Sequence, residues 1–62
     1  MMYKLEVWEC YDDVIEYKLH ISFGYYNQYN SWCEESYKII SIDEHEFNYF
    51  VGNGVKKIDI PF

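Results

Sequence analysis

The sequence predicts an α+β domain, in which a small, mainly antiparallel sheet of about four strands carries one short helix on one face. Three observations support this prediction. Residues 14–23 alternate between apolar and polar side chains, residues 43–52 combine a helix cap, a helical period and a stop signal, and the 62-residue chain has room for one domain only. The expected element order is β-β-loop-β-α-β, with residues 1–62 forming a single small domain.

Residues 3–10 and 14–23 are predicted to form a hairpin around the turn residues Tyr11, Asp12 and Asp13. Every second residue of the second strand is apolar, which indicates a half-buried strand; this apolar set comprises Ile15, Tyr17, Leu19, Ile21 and Phe23. The first strand alternates in the same way, with Tyr3, Leu5 and Val7 on one face.

The turn position sets the expected register of this hairpin. With three loop residues, Cys10 lies opposite Val14. Glu6 then faces Lys18, an opposite-charge pair of the kind that stabilises antiparallel strands. A slip by one residue would put apolar side chains opposite polar ones, so this register is self-consistent.

Residues 24–35 show no period, and their Gly, Asn and Ser residues favour a loop. A loop of this length in so small a domain is typical of a functional segment. Tyrosine-rich loops suit protein recognition, because Tyr offers a large contact area at low entropic cost. The candidate binding residues of this segment are Tyr25, Tyr26, Tyr29, Trp32, Glu34 and Glu35.

A third strand is predicted over 36–42, followed by a helix over 43–51. Asp43 has the chemistry of an N-cap and Glu46 completes a capping box, while Gly52 suits the helix end. The alternative is a hairpin, because Phe47, Tyr49 and Val51 also alternate and Asn53-Gly54 is a strong turn signal. The helix is favoured, since cap, period and stop agree.

Residues 55–60 are predicted to form the final strand, with Ile58, Ile60 and Phe62 on one face. The helix would present Phe47, Phe50 and Val51 to the apolar face of the sheet. That face is expected to carry Leu5, Val7, Leu19, Ile21, Ile58 and Ile60.

One helix covers only one face of the sheet, so the other face is expected to hold exposed aromatic and aliphatic side chains. Trp8 and Val14 would point away from the core, with Tyr37 or Ile39 beside them. Contiguous exposed apolar surface marks an interface, and Trp and Tyr are enriched at binding hot spots. Two alternatives stay open: the 24–35 loop folds back over Trp8, or a homodimer covers this face.

The formal net charge is -6, from eleven acids against five Lys and no Arg. This balance argues against nucleic acid and anionic membranes as direct ligands and favours a partner with a basic surface. The acids fall in two blocks, at 1–16 and 34–46, and Glu9, Asp12 and Asp13 belong to the first. The alternative is two solvated faces that keep a small protein soluble.

Sites for catalysis, metals and cofactors are not expected. The three Gly are scattered, so there is no phosphate loop, and the spacing of Cys10, His20, Cys33 and His45 is unlike that of structural zinc ligands. The two His are expected to be ordinary surface residues. The absence of a signal peptide and of any long apolar run favours a cytoplasmic protein with reduced thiols.

These observations favour a binding protein over an enzyme, namely a small acidic inhibitor or adaptor that occupies a basic site on another protein. Residues with AT-rich codons make up nearly half of the chain, which favours a low-GC genome such as that of a bacterium or its phage. In the favoured hypothesis the protein is phage-encoded and acts against a host or defence protein. In the narrowest form of the hypothesis, the acids imitate a DNA backbone. The expected binding residues are Trp8, Glu9, Asp12 and Asp13 together with the six residues of the 24–35 segment. The alternatives are a dimeric sponge for a nucleotide-like molecule and a structural subunit that only oligomerises.

Overall fold

A computed structural model describes residues 2–61 and confirms a small α+β fold. Its elements are β1 (Met2–Tyr11), β2 (Ile15–Tyr26), β3 (Trp32–Ile42), α1 (Glu44–Gly52) and β4 (Lys56–Pro61). The four strands form one sheet in the order β3-β2-β1-β4. The β1–β2 and β2–β3 pairs are antiparallel, and the β1–β4 pair is parallel.

The first hairpin forms as predicted, but its register is shifted by two residues. Glu6 lies opposite His20 rather than Lys18, and Cys10 lies opposite Glu16 rather than Val14. The turn accordingly comprises residues 12–14 instead of 11–13. Because side chains alternate with a period of two, a two-residue shift leaves every residue on its predicted face, and the hydrophobic pattern cannot detect it.

The predicted 24–35 loop is wrong, because most of it continues the strands. β2 runs on to Tyr26 and β3 begins at Trp32, which leaves a short turn over 27–31. The Asn27 side-chain oxygen organises this turn by accepting hydrogen bonds from the backbone N–H of Tyr29 (2.8 Å) and Ser31 (3.0 Å).

A β-bulge between Phe23 and Gly24 explains why this segment lost its period. Before the bulge Phe23 pairs with Ser36, and after it Gly24 pairs with Glu34, so one residue of β3 is extra. Alternation therefore breaks within a continuous strand. The backbones also approach closely here, since a Cβ on Gly24 would lie 2.0 Å from the carbonyl oxygen of Cys33.

The helix is confirmed over the alternative hairpin. The Asp43 carboxylate accepts a hydrogen bond from the Glu46 N–H (2.7 Å), and the Glu46 side chain accepts one from the Asp43 N–H (3.3 Å). This is the predicted capping box. Gly54, with a positive φ of 89°, turns the chain after the helix, as only Gly does readily.

The core lies between α1 and the two central strands, and its most buried members are Val7, Leu19 and Phe47. Two expectations about the core are wrong, one for the helix residue Val51 and one for the strand β4. Val51 is exposed, and Val55, just after the helix, packs against the core in its place. The side chains that pack around the core are Leu5, Tyr17, Ile21, Ile42, Phe50 and Val55.

The second correction concerns β4. Ile58 pairs with Trp8 and Ile60 pairs with Cys10, so both isoleucines lie on the face opposite the helix. The parallel pairing with β1 sets this orientation, and the sequence of β4 alone does not reveal it. The predicted partner Phe62 lies outside the described residues. The described helix is too short to cross a membrane.

Candidate functional site

The face of the sheet that α1 leaves uncovered is called the open face. Its ionisable residues are Lys4, Lys18, Lys56, Glu6, Glu16, Glu34 and His20. Its aromatic and aliphatic residues are Trp8, Tyr26, Trp32, Tyr37, Ile39, Ile58 and Ile60. Trp8, Tyr37 and Ile39 thus share this face as the sequence predicts.

His20 lies at the centre of the open face between two aromatic rings. Its imidazole stacks on Trp8, with centroids 4.9 Å apart and planes at 14°, and packs against Tyr37 on its other side at 5.6 Å. Its Nδ1 is 3.6 Å from a Glu6 oxygen and its Nε2 is 3.6 Å from a Glu34 oxygen. These distances are too long for hydrogen bonds, so stacking holds the ring in place.

The expectation that His20 is an ordinary surface residue is therefore wrong, since its side chain is only 14% exposed. It lies on the predicted face, but the large neighbouring rings cover it. Its Nδ1 is buried without a hydrogen-bond partner among the described residues. The Trp8 Nε1–H donates instead to Glu6 (3.0 Å) and fixes that carboxylate beside the ring.

A concavity of about 380 Å³ opens beside this cluster. It is lined by Lys4, Leu5, Glu6, His20, Ser22, Glu34 and Lys56. Its volume is at the lower end of the range of small-molecule sites. Two lysines face two glutamates across it, so it lacks the concentrated positive charge that binds phosphate groups.

The predicted loop residues form the lower end of the sheet, around the turn at 27–31. The Lys4 ammonium lies 5.0 Å from the Tyr26 ring centre and 5.1 Å from that of Trp32, within cation–π range. The Trp32 Nε1–H donates to the Ser22 hydroxyl (2.8 Å). Tyr26 and Trp32 therefore support local structure on the open face, while Tyr29 is exposed in the turn.

The opposite end of the sheet is strongly acidic. The β1–β2 turn, the end of β3 and the start of α1 meet there, because Tyr17 pairs with Ile42 and Tyr11 with Pro61. This acidic end is formed by Glu9, Asp12, Asp13, Glu16, Asp43, Glu44 and Asp59. Acids from both blocks of the sequence thus converge on one surface.

Two lysines partly neutralise the acidic end. The Lys57 ammonium lies 3.6 Å from carboxylate oxygens of Glu9 and Asp59, and the Lys18 ammonium lies 3.9 Å from Glu16. Ion pairs this exposed contribute little to stability, about 0–1 kcal/mol. Negative charge therefore dominates this end of the molecule.

Apolar side chains lie among these acids. Tyr11, Val14 and Ile15 are all exposed at or beside the β1–β2 turn. The Tyr11 hydroxyl donates a hydrogen bond to the Glu9 carboxylate, and this bond, with partial burial and the charges of Glu9 and Asp59, raises the pKa of Tyr11 to about 12. Exposed apolar groups ringed by carboxylates are suited to contact with a basic surface.

The pKa of Tyr17, on the core face of the sheet, is affected by charged groups of the same region. Partial burial raises the pKa of Tyr17, the nearby Glu44 and Glu9 carboxylates raise it further, and Lys57 opposes them. A residue of β1 and a residue of α1 thus act on one phenol, which places the start of the helix beside the first hairpin.

The structure does not bring all the predicted binding residues together. Glu9, Asp12 and Asp13 belong to the acidic end, and Trp8 lies half-buried in the middle of the open face. Tyr26, Trp32 and Glu34 lie on the open face near its lower end. Tyr25 pairs with Cys33 on the other face, and Glu35 lies beside the bulge.

Sequence reasoning missed the contribution of Asp43 and Glu44 to the acidic end. Their proximity to the β1–β2 turn follows from the direction of β3, which depends on strand pairing. It also missed the packing of Tyr37 against His20. That contact depends on how β3 pairs with β2, which the sequence does not show.

Within residues 2–61, no group of three or more His, Cys, Asp or Glu side chains has the geometry to hold a metal ion. Cys10 and Cys33 are both free thiols. They lie on opposite faces, because Cys10 pairs with Glu16 on the open face and Cys33 pairs with Tyr25 on the other.

Comparison with protein-family models, with curated proteins and with solved structures finds no match to this chain. A proposal about function therefore depends on the chain's own surface, and two features stand out there. One is the acidic end with its exposed apolar side chains, and the other is the open face with its stacked rings.

Proposed function

We propose that this chain is a small acidic binding protein, an inhibitor or adaptor, that occupies a basic surface of another protein with its acidic end. The observation that carries the proposal is the convergence of acids from both sequence blocks around the β1–β2 turn. Phage origin and a host or defence protein as target remain part of the same hypothesis. No catalytic step is involved.

In this proposal, electrostatic attraction raises the rate of association and favours basic partners over acidic ones. A concentrated negative surface attracts a basic partner over distances of about 10 Å at moderate salt and orients it before contact. The acids lie on a turn, on strand ends and at a helix start, and thus do not form one regular row. The proposal is therefore electrostatic steering onto a basic site, and imitation of the DNA backbone is its narrower form.

Apolar side chains supply the short-range part of the binding. Tyr11, Val14 and Ile15 offer exposed apolar area within the acidic surface. Buried aromatic and aliphatic anchors dominate most binding energies, while charges at the rim mainly set the association rate. We therefore expect Val14→Ala and Ile15→Ala to speed dissociation, and the loss of acids to slow association.

The test is capture of a partner from a lysate by two variants with equal charge. One variant carries Asp12→Asn and Asp13→Asn at the acidic end, and its matched control carries Glu34→Gln and Glu35→Gln at the other end. Both remove two negative charges. We expect the wild type to capture one dominant basic protein, the control to retain it, and the acidic-end variant to lose it.

Salt and quantitative mass spectrometry complete this test. The captured protein should be released progressively as salt rises, because exposed charge pairs are screened. Equal loss in the two variants would mean that net charge alone causes capture, and would contradict a defined acidic site. Failure to enrich any basic protein would also refute the proposal.

A second candidate is favoured by the concavity beside His20, which is large enough for a small nucleotide-like molecule and is lined by the His20 ring and by Ser22, whose hydroxyl accepts a hydrogen bond from Trp32. Aromatic stacking supports it, and the balanced charge of the lining opposes it. A rise in melting temperature with a nucleotide, lost in Trp32→Ala, would favour this candidate over the first.

A further inference from the structure

We propose that the open face is a self-association surface, covered in solution by the open face of a second copy of this chain. The proposal goes beyond the binding function above, because it concerns a different surface. It rests on the charge of that face, on its size and on the ordered rings at its centre.

The charge distribution selects the open face as the place where two copies can meet. The open face carries three lysines and three glutamates, so its formal charge is zero; they are Lys4, Lys18, Lys56, Glu6, Glu16 and Glu34. The whole chain carries -6, and that entire excess lies on the other surfaces of the described residues. Contact between two copies through the acidic end would bring like charges together, which costs free energy.

The charges of the open face are also interspersed rather than separated. Lys56 lies opposite Glu6 across the β1–β4 pair, and the Lys18 ammonium lies near Glu16. A neutral face with both signs of charge interspersed can meet its own copy across a two-fold axis without a net repulsion between the two faces. Such a face is self-complementary in a way that the acidic end is not.

The size of the molecule leaves room for the interface of a stable dimer. The molecule extends 42 × 25 × 16 Å, so the rectangle that encloses its broad side is on the order of 1,000 Å² and sets the upper bound for the open face. Standard interfaces bury about 800 Å² per partner. The short third dimension shows that the sheet is covered on one side only, and a second sheet stacked about 10 Å away would complete a sandwich.

The rings at the centre of the face are pre-ordered, and aliphatic side chains flank them. A row of side chains crosses all four strands, from Ile58 through Trp8 and His20 to Tyr37 and Ile39. Stacking already fixes the rings of this row, so little side-chain entropy is lost on association. Aromatic residues held in this way are typical of interface hot spots.

The small core supplies a reason for self-association. Only a few side chains are fully buried among residues 2–61, and one short helix covers the sheet. Domains of this size are marginally stable, and a partner subunit is one of the ways in which small domains gain stability. A second copy bound to the folded state would raise the melting temperature as protein concentration rises.

The test uses two adjacent residues of β3 that differ only in face. Ile39 lies on the open face and is 40% exposed, while Ile40 lies on the other face and is 37% exposed. We expect Ile39→Lys to weaken the dimer by at least about tenfold, because it replaces an exposed apolar side chain of the open face by an unpaired charge within the interface. Ile40→Lys should change the dimer dissociation constant by less than about twofold.

Lysine is the stringent choice for both variants, because it lowers the net negative charge. General repulsion between copies therefore decreases, and a weaker dimer cannot be attributed to greater net repulsion. The measurement is mass by sedimentation velocity and light scattering over a concentration series. The wild type should approach twice the 7.6 kDa mass of the chain. Far-UV circular dichroism checks that both variants fold.

A second matched pair keeps the test decisive if an Ile39 variant fails to fold. Tyr37 on the open face and Tyr49 on the outer side of α1 are 63% and 64% exposed. Tyr37→Lys should dissociate the dimer, and Tyr49→Lys should not. A wild type that stays at 7.6 kDa at its highest soluble concentration would overturn the proposal.

Two further outcomes would also overturn it. Equal weakening by Ile39→Lys and Ile40→Lys would place the contact at the edge of β3 rather than on the open face. Dimerisation that no open-face variant affects would place it elsewhere. Salt separates this proposal from the one above: screening should leave the dimer unchanged or strengthen it, because the copies otherwise repel, whereas it should weaken capture of a basic partner.

Discussion

Substitution of Gly24 by Ala tests the close approach of β2 and β3 at the bulge. A Cβ at this position would lie 2.0 Å from the carbonyl oxygen of Cys33 and 2.9 Å from its carbonyl carbon. Favourable contacts between carbon atoms lie at about 3.5–4.0 Å. Both obstructing atoms belong to the backbone, so no side chain can rotate away, and the two strands must separate.

The expected cost is large for a domain of this size. Overpacking that shifts backbone costs about 1–3 kcal/mol, and we expect Gly24→Ala to fall at the upper end because two backbone atoms are in the way. In a domain of this length, 1 kcal/mol lowers the melting temperature by about 4–8 °C. The melting temperature should therefore fall by roughly 10–20 °C. Thermal and urea unfolding, followed by tryptophan fluorescence, measure this change.

Gly52→Ala is the matched control. Gly52 ends α1, and a Cβ there would meet no atom within 4 Å. Ala is the better helix former, so this variant should be unchanged or more stable by up to about 1 kcal/mol. The account of the bulge would be refuted if Gly24→Ala lost less than about 0.5 kcal/mol, or if both variants behaved alike.

Three further predictions concern the helix α1 and the phenol of Tyr11. Asp43→Ala removes the cap of α1 and should cost about 1 kcal/mol in urea unfolding. Phe47→Ala removes the only buried helix residue of the described chain and should cost about 3–5 kcal/mol, enough to leave it largely unfolded by circular dichroism. In alkaline absorbance titration, Tyr11 should ionise near pH 12, and Glu9→Gln should move its pKa back towards 10. Because the folded state raises this pKa, Tyr11 contributes stability below pH 10 that is lost as the pH rises towards 12.

Local chemistry made the helix predictable from the sequence. The capping interaction between Asp43 and Glu46 involves residues three apart, and both hydrogen bonds form as expected. The competing hairpin relied on Asn53-Gly54, which does form a turn, but one that follows the helix. A helix cap formed by residues close together in the chain can be predicted from a single sequence, because it does not depend on a distant partner.

The register and the bulge were not predictable in the same way. The hydrophobic pattern and the charge pairing were both consistent with a hairpin in which Glu6 lies opposite Lys18. In the structure the register is shifted by two residues, and such a shift leaves every side chain on the same face. At Gly24 the sequence indicated a loop, since glycine there interrupts the alternation. Glycine within a strand also marks a bulge. Only the length of β3, which continues to pair with β2 beyond Gly24, decides between a loop and a bulge.

The bulge matters for the candidate site as well as for the fold. Because β3 contains one extra residue there, Glu34 turns onto the open face beside His20, and Cys33 turns away from it. Without the bulge, the two would exchange faces. The sequence correctly predicted Trp8, Tyr37 and Ile39 on the uncovered face, since simple alternation holds for them. It failed where a residue lies beyond an irregularity or on a strand of unknown pairing, as with Ile58.

One connection explains why the acidic end and the open face coexist in so short a chain. β3 and β4 are the two edge strands, and α1 joins them, so the helix must cross the central strands on one face and leave the other bare. The same path starts α1 where β3 ends, beside the β1–β2 turn, and so adds Asp43 to the acids there. β4 then returns along β1 and places Lys56 on the open face. The crossover thus concentrates negative charge at one end while it leaves the uncovered face neutral, and the proposed partner binding and the proposed self-association each use one of these two surfaces.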